Sequence, residues 1–241
     1  MNGNSLEIKG LEVDRGGRPV LLGIDMSIAA GCITALLGAN GAGKSSLIAT
    51  LAGVIPARRG EISVNGKPLL GKKPSEVRRL GVAAAPEGHP VLSNMTVKEN
   101  LYAAGLMHSK VDCDIEIEDV LELLPELKPK LSIDARNLSG GQKQMVNVAM
   151  ALIARPKYLL IDELSFGLSP AVVGRLGETT KEIAARGVGV LLIEQFTTLA
   201  LGLASKVYVM ERGRIYFDGM SDEIKAKPEI LHGAYLAGNA H

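Results

Sequence analysis

The sequence predicts an α/β fold with a mainly parallel sheet, an antiparallel β subdomain near the N-terminus and a helical subdomain inserted around residues 90 to 140. Three observations carry that expectation. The runs KYLLID (157–162) and GVGVLLIEQ (187–195) are unbroken apolar stretches, which suit strands covered on both faces by helices. The first 70 residues hold short alternating stretches such as LEIKGLEV, and Asn65-Gly66 between two β-like runs is a strong hairpin signal. From about Val97 to Leu131, VKENLYAAGLM and IEIEDVLELLPEL repeat apolar residues at three- and four-residue spacing, the period of a helix.

Taken along the chain, CITALLGANGAGKSSLIATLAGV (32–54) reads as an apolar strand, a glycine-rich turn and a helix. GEISVNGKPLL (60–70) supplies the first hairpin. Prolines flank the helical stretch, so it reads as an insertion rather than part of the sheet. After LSGGQKQ, the run MVNVAMALIA continues as a helix that Arg155-Pro156 ends, because proline cannot continue it. KVYVM and GRIYFDG close the pattern as a hairpin around Arg212-Gly213. With no internal repeat or low-complexity linker, residues 1–241 are expected to form one composite domain.

Composition narrows the function. At 241 residues with 46% hydrophobic and 22% charged residues, the chain is long enough for a substantial core. A net charge of +1 offers no general attraction for nucleic acid or anionic lipid, so neither is expected as a partner. Cys32 and Cys113 lack ligand spacing and read as reduced thiols, while His89, His108, His232 and His241 are scattered. The N-terminus has no apolar leader core, and no stretch reaches the roughly 18 to 20 apolar residues that span a bilayer. Any membrane connection is therefore expected to run through a partner.

Two motifs carry chemistry on their own. Gly38-Ala39-Asn40-Gly41-Ala42-Gly43-Lys44-Ser45, followed by Ser46, fits the spacing GxxxxGK[ST] in the strand–turn–helix context that the motif requires. Its backbone N–H groups are expected to wrap the phosphates of a nucleotide, with Lys44 on the β and γ phosphates and Ser45 on Mg²⁺. Such a P-loop needs an acidic residue at the end of another strand. Tyr158 to Glu163 supplies two: Asp162 for the Mg²⁺ shell and Glu163 to polarise the attacking water.

P-loop, LSGGQ and a strand ending in DE, in that order, resemble the ATP-binding cassette family. That resemblance implies two cassettes facing head to tail, so that Ser139, Gly140, Gly141 and Gln142 would meet ATP held by a second ATPase subunit. It also implies ATP hydrolysis coupled to transmembrane subunits. PEGHPVLSNMTVKENL (86–101), SFGLSP (165–170), LLIEQF (191–196) and AYLAG (234–238) are similar to the second, shorter ATPase of branched-chain amino acid importers. An extracytoplasmic solute-binding protein is then an indirect partner, and the expected location is the cytoplasmic face of the inner membrane. A urea or short-amide importer shares these signatures. A soluble cassette ATPase of DNA repair or translation usually has two cassettes in one chain or a long coiled-coil insertion.

The same resemblance places Glu87 near the metal, where most cassettes carry glutamine, and Gln195 at the position of a switch histidine. A neutral amide cannot take a proton near neutral pH, which leaves Glu163 as the expected general base. Arg15 falls where an adenine-stacking aromatic is usual. It reads either as a guanidinium stacked on the purine or as an exposed arginine. Leu164 and Met150 depart from the family pattern with no functional consequence legible in the sequence.

Overall fold

A computed structural model describes residues 4–88 and 90–231. The AYLAG segment and His89 lie outside the described residues. Strands β1 (Ser5–Arg15), β2 (Arg18–Ala29), β4 (Arg59–Val64) and β5 (Lys67–Pro68) form an antiparallel sheet in the order β2-β1-β4-β5. The hairpin expected at Asn65-Gly66 joins Val64 to Lys67, with both turn residues at positive φ (49° and 77°) as a two-residue turn demands.

The second sheet runs β10-β9-β3-β8-β7-β6, from β3 (Ile33–Leu37), β6 (Val82–Ala85), β7 (Tyr158–Asp162), β8 (Gly189–Ile193), β9 (Lys206–Glu211) and β10 (Arg214–Met220). All neighbours are parallel except β10, which returns antiparallel through Arg212-Gly213. Both faces of its central strands β3, β7 and β8 are dry. On β7, Leu159 and Ile161 enter one core while Tyr158 and Leu160 enter the other; on β8, Val190 and Leu192 oppose Leu191 and Ile193. This explains why these strands read as continuous apolar runs. The first core packs under the helices, and the second joins the parallel sheet to the antiparallel one around α1 (Lys44–Leu51). Truncating a fully buried Leu160 to Ala there costs about 2–5 kcal/mol.

Between β6 and β7 lies the helical insertion: α3 (Val97–Ala104), α4 (Lys110–Leu123), 3₁₀ turns at Pro125–Lys130 and Ala135–Asn137, then α5 (Gly140–Leu152). Thr96 and Ser109 cap α3 and α4 by accepting from the N–H groups of Glu99 and Asp112. Helix α5 ends at Leu152, ahead of Arg155-Pro156 as expected. The short α2 (Pro74–Arg79) precedes β6; α6 (Pro170–Ala185) and α7 (Thr197–Leu203) follow β7 and β8; α8 (Ser221–Ala226) follows β10.

Candidate active site

The turn from β3 to α1 is shaped for close backbone approach. A Cβ at Gly38, whose φ is 152°, would lie 2.2 Å from the Met210 carbonyl oxygen. At the other end Gly43 adopts φ 113° as the N-cap of α1, with no side-chain cap and no acidic residue in the first turn. The first amides of α1 are thus left without side-chain acceptors, and the helix dipole favours an anion there. Lys44 is buried, and its Nζ donates to the carbonyls of Gly38 (2.8 Å) and Ala39 (3.0 Å), folding back over the loop. Burial lowers its pKa, while Glu163, Asp162 and Glu87 act in the opposite sense.

Asp162 is the last residue of β7 and is buried. Burial pushes its carboxyl up to about 6, against a hydrogen bond from Ser45; the nearby Glu87 and Glu163 act with burial and Lys44 against it. Glu163, also buried, sits at φ 54°, the left-handed region that a non-glycine residue rarely occupies, while its N–H donates to the Ile193 carbonyl at 3.0 Å. Strain of this kind persists where the surroundings over-determine it. Here the surroundings include Gln195, whose Nε2 donates to Glu163 Oε1 (2.5 Å) and Asn40 Oδ1 (2.7 Å). The fold therefore brings together Asn40, Lys44, Ser45, Asp162, Glu163 and Gln195 from three strand ends.

Glu87 lies exposed in the turn after β6, near enough to act electrostatically on both Lys44 and Asp162. The preceding carbonyl, of Pro86, accepts from Asn147 Nδ2 at 2.9 Å, which ties this turn to α5. At the N-terminus of α5, Ser139 Oγ accepts from Gln142 N–H (3.3 Å) and Gln142 Oε1 accepts from Ser139 N–H (3.0 Å), a capping box that closes on itself. Ser139 and Gly140 are exposed, and Gly141 is buried against Val172 of α6. Arg15 is exposed at the end of β1, paired across the turn with Arg18. The two off-pattern residues acquire structural places: Leu164 is fully buried in the core under the helices, and Met150 is half-buried at the wall of a cleft.

That cleft, about 630 Å³, lies between α1, α2, β6 and the helical insertion and includes Val54, Arg78, Glu87, Leu92 and Met150 in its walls. Arg78 Nη2 donates to the Ala104 carbonyl at 3.3 Å, while its buried Nε has no partner among the described residues and burial lowers its pKa. Sequence reasoning missed Arg78, because nothing separates it from the exposed Arg79 beside it. It missed Asn147 too, whose only signal is a polar residue in the apolar run of α5. The exposed Phe166 and Phe196, 59% and 62% accessible, follow Glu163 and Gln195 by three residues and one residue.

Among the described residues no helix is long and apolar enough to cross a membrane. The family model for ABC transporters matches residues 21–165. The high-affinity branched-chain amino acid transport ATP-binding protein BraG of Pseudomonas aeruginosa is 39% identical over 215 residues, covering 89% of this chain and 92% of its own. A probable branched-chain amino acid transport ATP-binding protein LivF of Archaeoglobus fulgidus is 31% identical over 209 residues (85% and 87%). The xylose/arabinose import ATP-binding protein XylG of Sulfolobus acidocaldarius is also 31% identical, over 223 residues (90% and 89%). The crystal structure of the ADP conformation of an ATP-binding cassette of an ABC transporter superposes with a TM-score of 0.83 at 27% identity, covering 95% of this chain and 97% of that one. With this P-loop site on an α/β cassette fold, the chain belongs to the ABC transporter family as a nucleotide-binding, ATP-hydrolysing subunit.

Proposed function

We propose that this chain, one composite domain over residues 1–241, energises import of branched-chain or related hydrophobic amino acids through separate transmembrane permease subunits, fed by an extracytoplasmic binding protein. The higher identity to BraG supports the amino-acid solute over the sugars named for XylG. In this reading the chain works at the cytoplasmic face of the inner membrane.

One observation carries the catalytic part: Gln195 hydrogen-bonds both Glu163 and the P-loop residue Asn40 beside Lys44 and Asp162. The amides from Gly38 to Ser46, with Lys44, hold the β and γ phosphates. Arg15 is assigned to the purine face. Ser45, Asp162 and Glu87 present hard oxygen donors, and Ser45 and Glu87 both lie near enough to Asp162 to act on its carboxyl, which fits Mg²⁺. No three His, Cys, Asp or Glu side chains among the described residues are placed to hold an ion alone. That suits a cation which takes its other ligands from ATP and water. When bound it neutralises charge on the phosphates. Glu163 accepts the proton of the attacking water, Gln195 orients that water, and the bond between the γ phosphorus and the ADP oxygen breaks.

Ser139, Gly140, Gly141 and Gln142 complete the ATP site of a second cassette, a sister chain or another copy. The exposed Phe166 and Phe196 beside the site offer apolar surface for that contact. The cleft bordered by Glu87, Leu92 and Met150, which takes in part of the 87–101 segment, receives a permease segment.

Copurification of the tagged full chain from its native cell, followed by reconstitution, tests the reading. ATP-dependent uptake of leucine, isoleucine or valine is expected. Uptake of urea or a pentose instead would overturn the solute, and the absence of membrane subunits would overturn the transport role.

A further inference from the structure

Glu194 is a buried carboxylate that none of the above uses. It follows β8 directly, is 1% exposed, and precedes Gln195. Its Oε1 accepts from Ser165 N–H (2.9 Å) and its Oε2 accepts from Ser165 Oγ–H (2.8 Å), and the N–H groups of Gln195 and Phe196 face it as further donors. Burial raises its pKa and these four donors oppose the rise; among the described residues no cation figures in the balance. A carboxylate taken out of water without a countercharge persists only when donors replace its hydration. These donors come from two places: the segment two residues beyond Glu163, and the turn that bears Gln195.

The clip therefore spans the two loops whose tips must meet. Glu163 occupies a strained left-handed conformation, and its contact with Gln195 is a side-chain bond between residues 32 apart. The backbone tie Glu163 N–H to Ile193 O fixes where the loop leaves β7, but not the course of the chain beyond it. Glu194 fixes that course at Ser165. We propose that Glu194 is a positioning residue for ATP hydrolysis: by clipping Ser165 to the turn after β8, it holds Glu163 and Gln195 at their working separation. This rests on the assignment of Glu163 as general base.

Glu194→Gln keeps the shape but turns one acceptor oxygen into an NH₂ group facing other donors. In the complex copurified through the tagged full chain, kcat for ATP is expected to fall by about 10²-fold, since misplacement of about 1 Å has that effect. The KM for ATP is expected to stay within about threefold, because the phosphate cradle is untouched. Ser165→Ala removes one donor of four and should lower kcat by about tenfold in the same pattern. In a Glu163→Gln background, Glu194→Gln should slow hydrolysis no further, because it acts through Glu163.

An unchanged kcat in Glu194→Gln overturns the clip, as does a loss that repeats in full in the Glu163→Gln background. Should Glu194→Gln fail to fold, unchanged kcat in Ser165→Ala decides against it. Normal turnover in Glu163→Gln alone removes the general base itself. Slow turnover there with normal turnover in Glu194→Gln removes only the clip.

Discussion

Two helix N-termini in this chain are proposed to meet phosphate, and they are built in opposite ways. Helix α1 starts at a glycine with φ 113°, without a side-chain cap, and a buried lysine folds over its entrance. Helix α5 starts at an exposed serine whose capping box with Gln142 already satisfies two amides within the chain. An uncapped end with a lysine is ready for an anion at once. A self-capped end on the helical insertion has fewer free amides to offer one, and in the proposed reading the phosphate is brought to it by a second cassette. The difference teaches why one chain carries both: in the proposed dimer, each end serves a different ATP.

The largest effect should fall on the first region. Glu163→Gln should slow hydrolysis by roughly 10² to 10⁴ fold while ATP still binds, as phosphate release and equilibrium binding together would read. Near-normal turnover would remove Glu163 from the role. Lys44→Ala should weaken ATP binding by about 10²-fold, since charge-assisted hydrogen bonds contribute about 1.5–3 kcal/mol each; titration calorimetry measures it. An equal weakening from a change at Ser139 would erase the contrast between the two ends.

Smaller effects sharpen the second region. A Cβ at Gly141 would lie 2.8 Å from Val172 Cγ1, so Gly141→Ala should lower stability by about 1–3 kcal/mol in denaturant unfolding. It should also depress hydrolysis more than ATP binding. Ser139→Ala removes the capping oxygen of α5 and should lower stability by about 1 kcal/mol in the same assay. No change there would mean that the capping box contributes nothing.

The P-loop was legible because its chemistry is written in adjacent residues, and the parallel sheet because dryness on both faces leaves β7 and β8 unbroken in apolar residues. The Asn65-Gly66 and Arg212-Gly213 turns follow from local backbone preference. What could not be read is long-range. Strand β6, Val-Ala-Ala-Ala, has little strand preference and exists because it pairs with β7 at the sheet edge. The Asn147–Pro86 bond joins residues 61 apart and the Glu194 clip residues 29 apart, neither with a local signal. The burial of Arg78 depends on a cleft that only the packed insertion creates.

The most direct test places a carboxylate at the α5 end, where Ser139 is exposed enough to accept it. Nucleotide affinity and turnover are measured on Ser139→Glu in the copurified complex, alongside ATP affinity of the isolated chain. If the two ends serve different ATPs, the isolated chain keeps its affinity while turnover in the complex collapses through repulsion of the incoming phosphate. Affinity of the isolated chain falling in step with turnover would contradict that division.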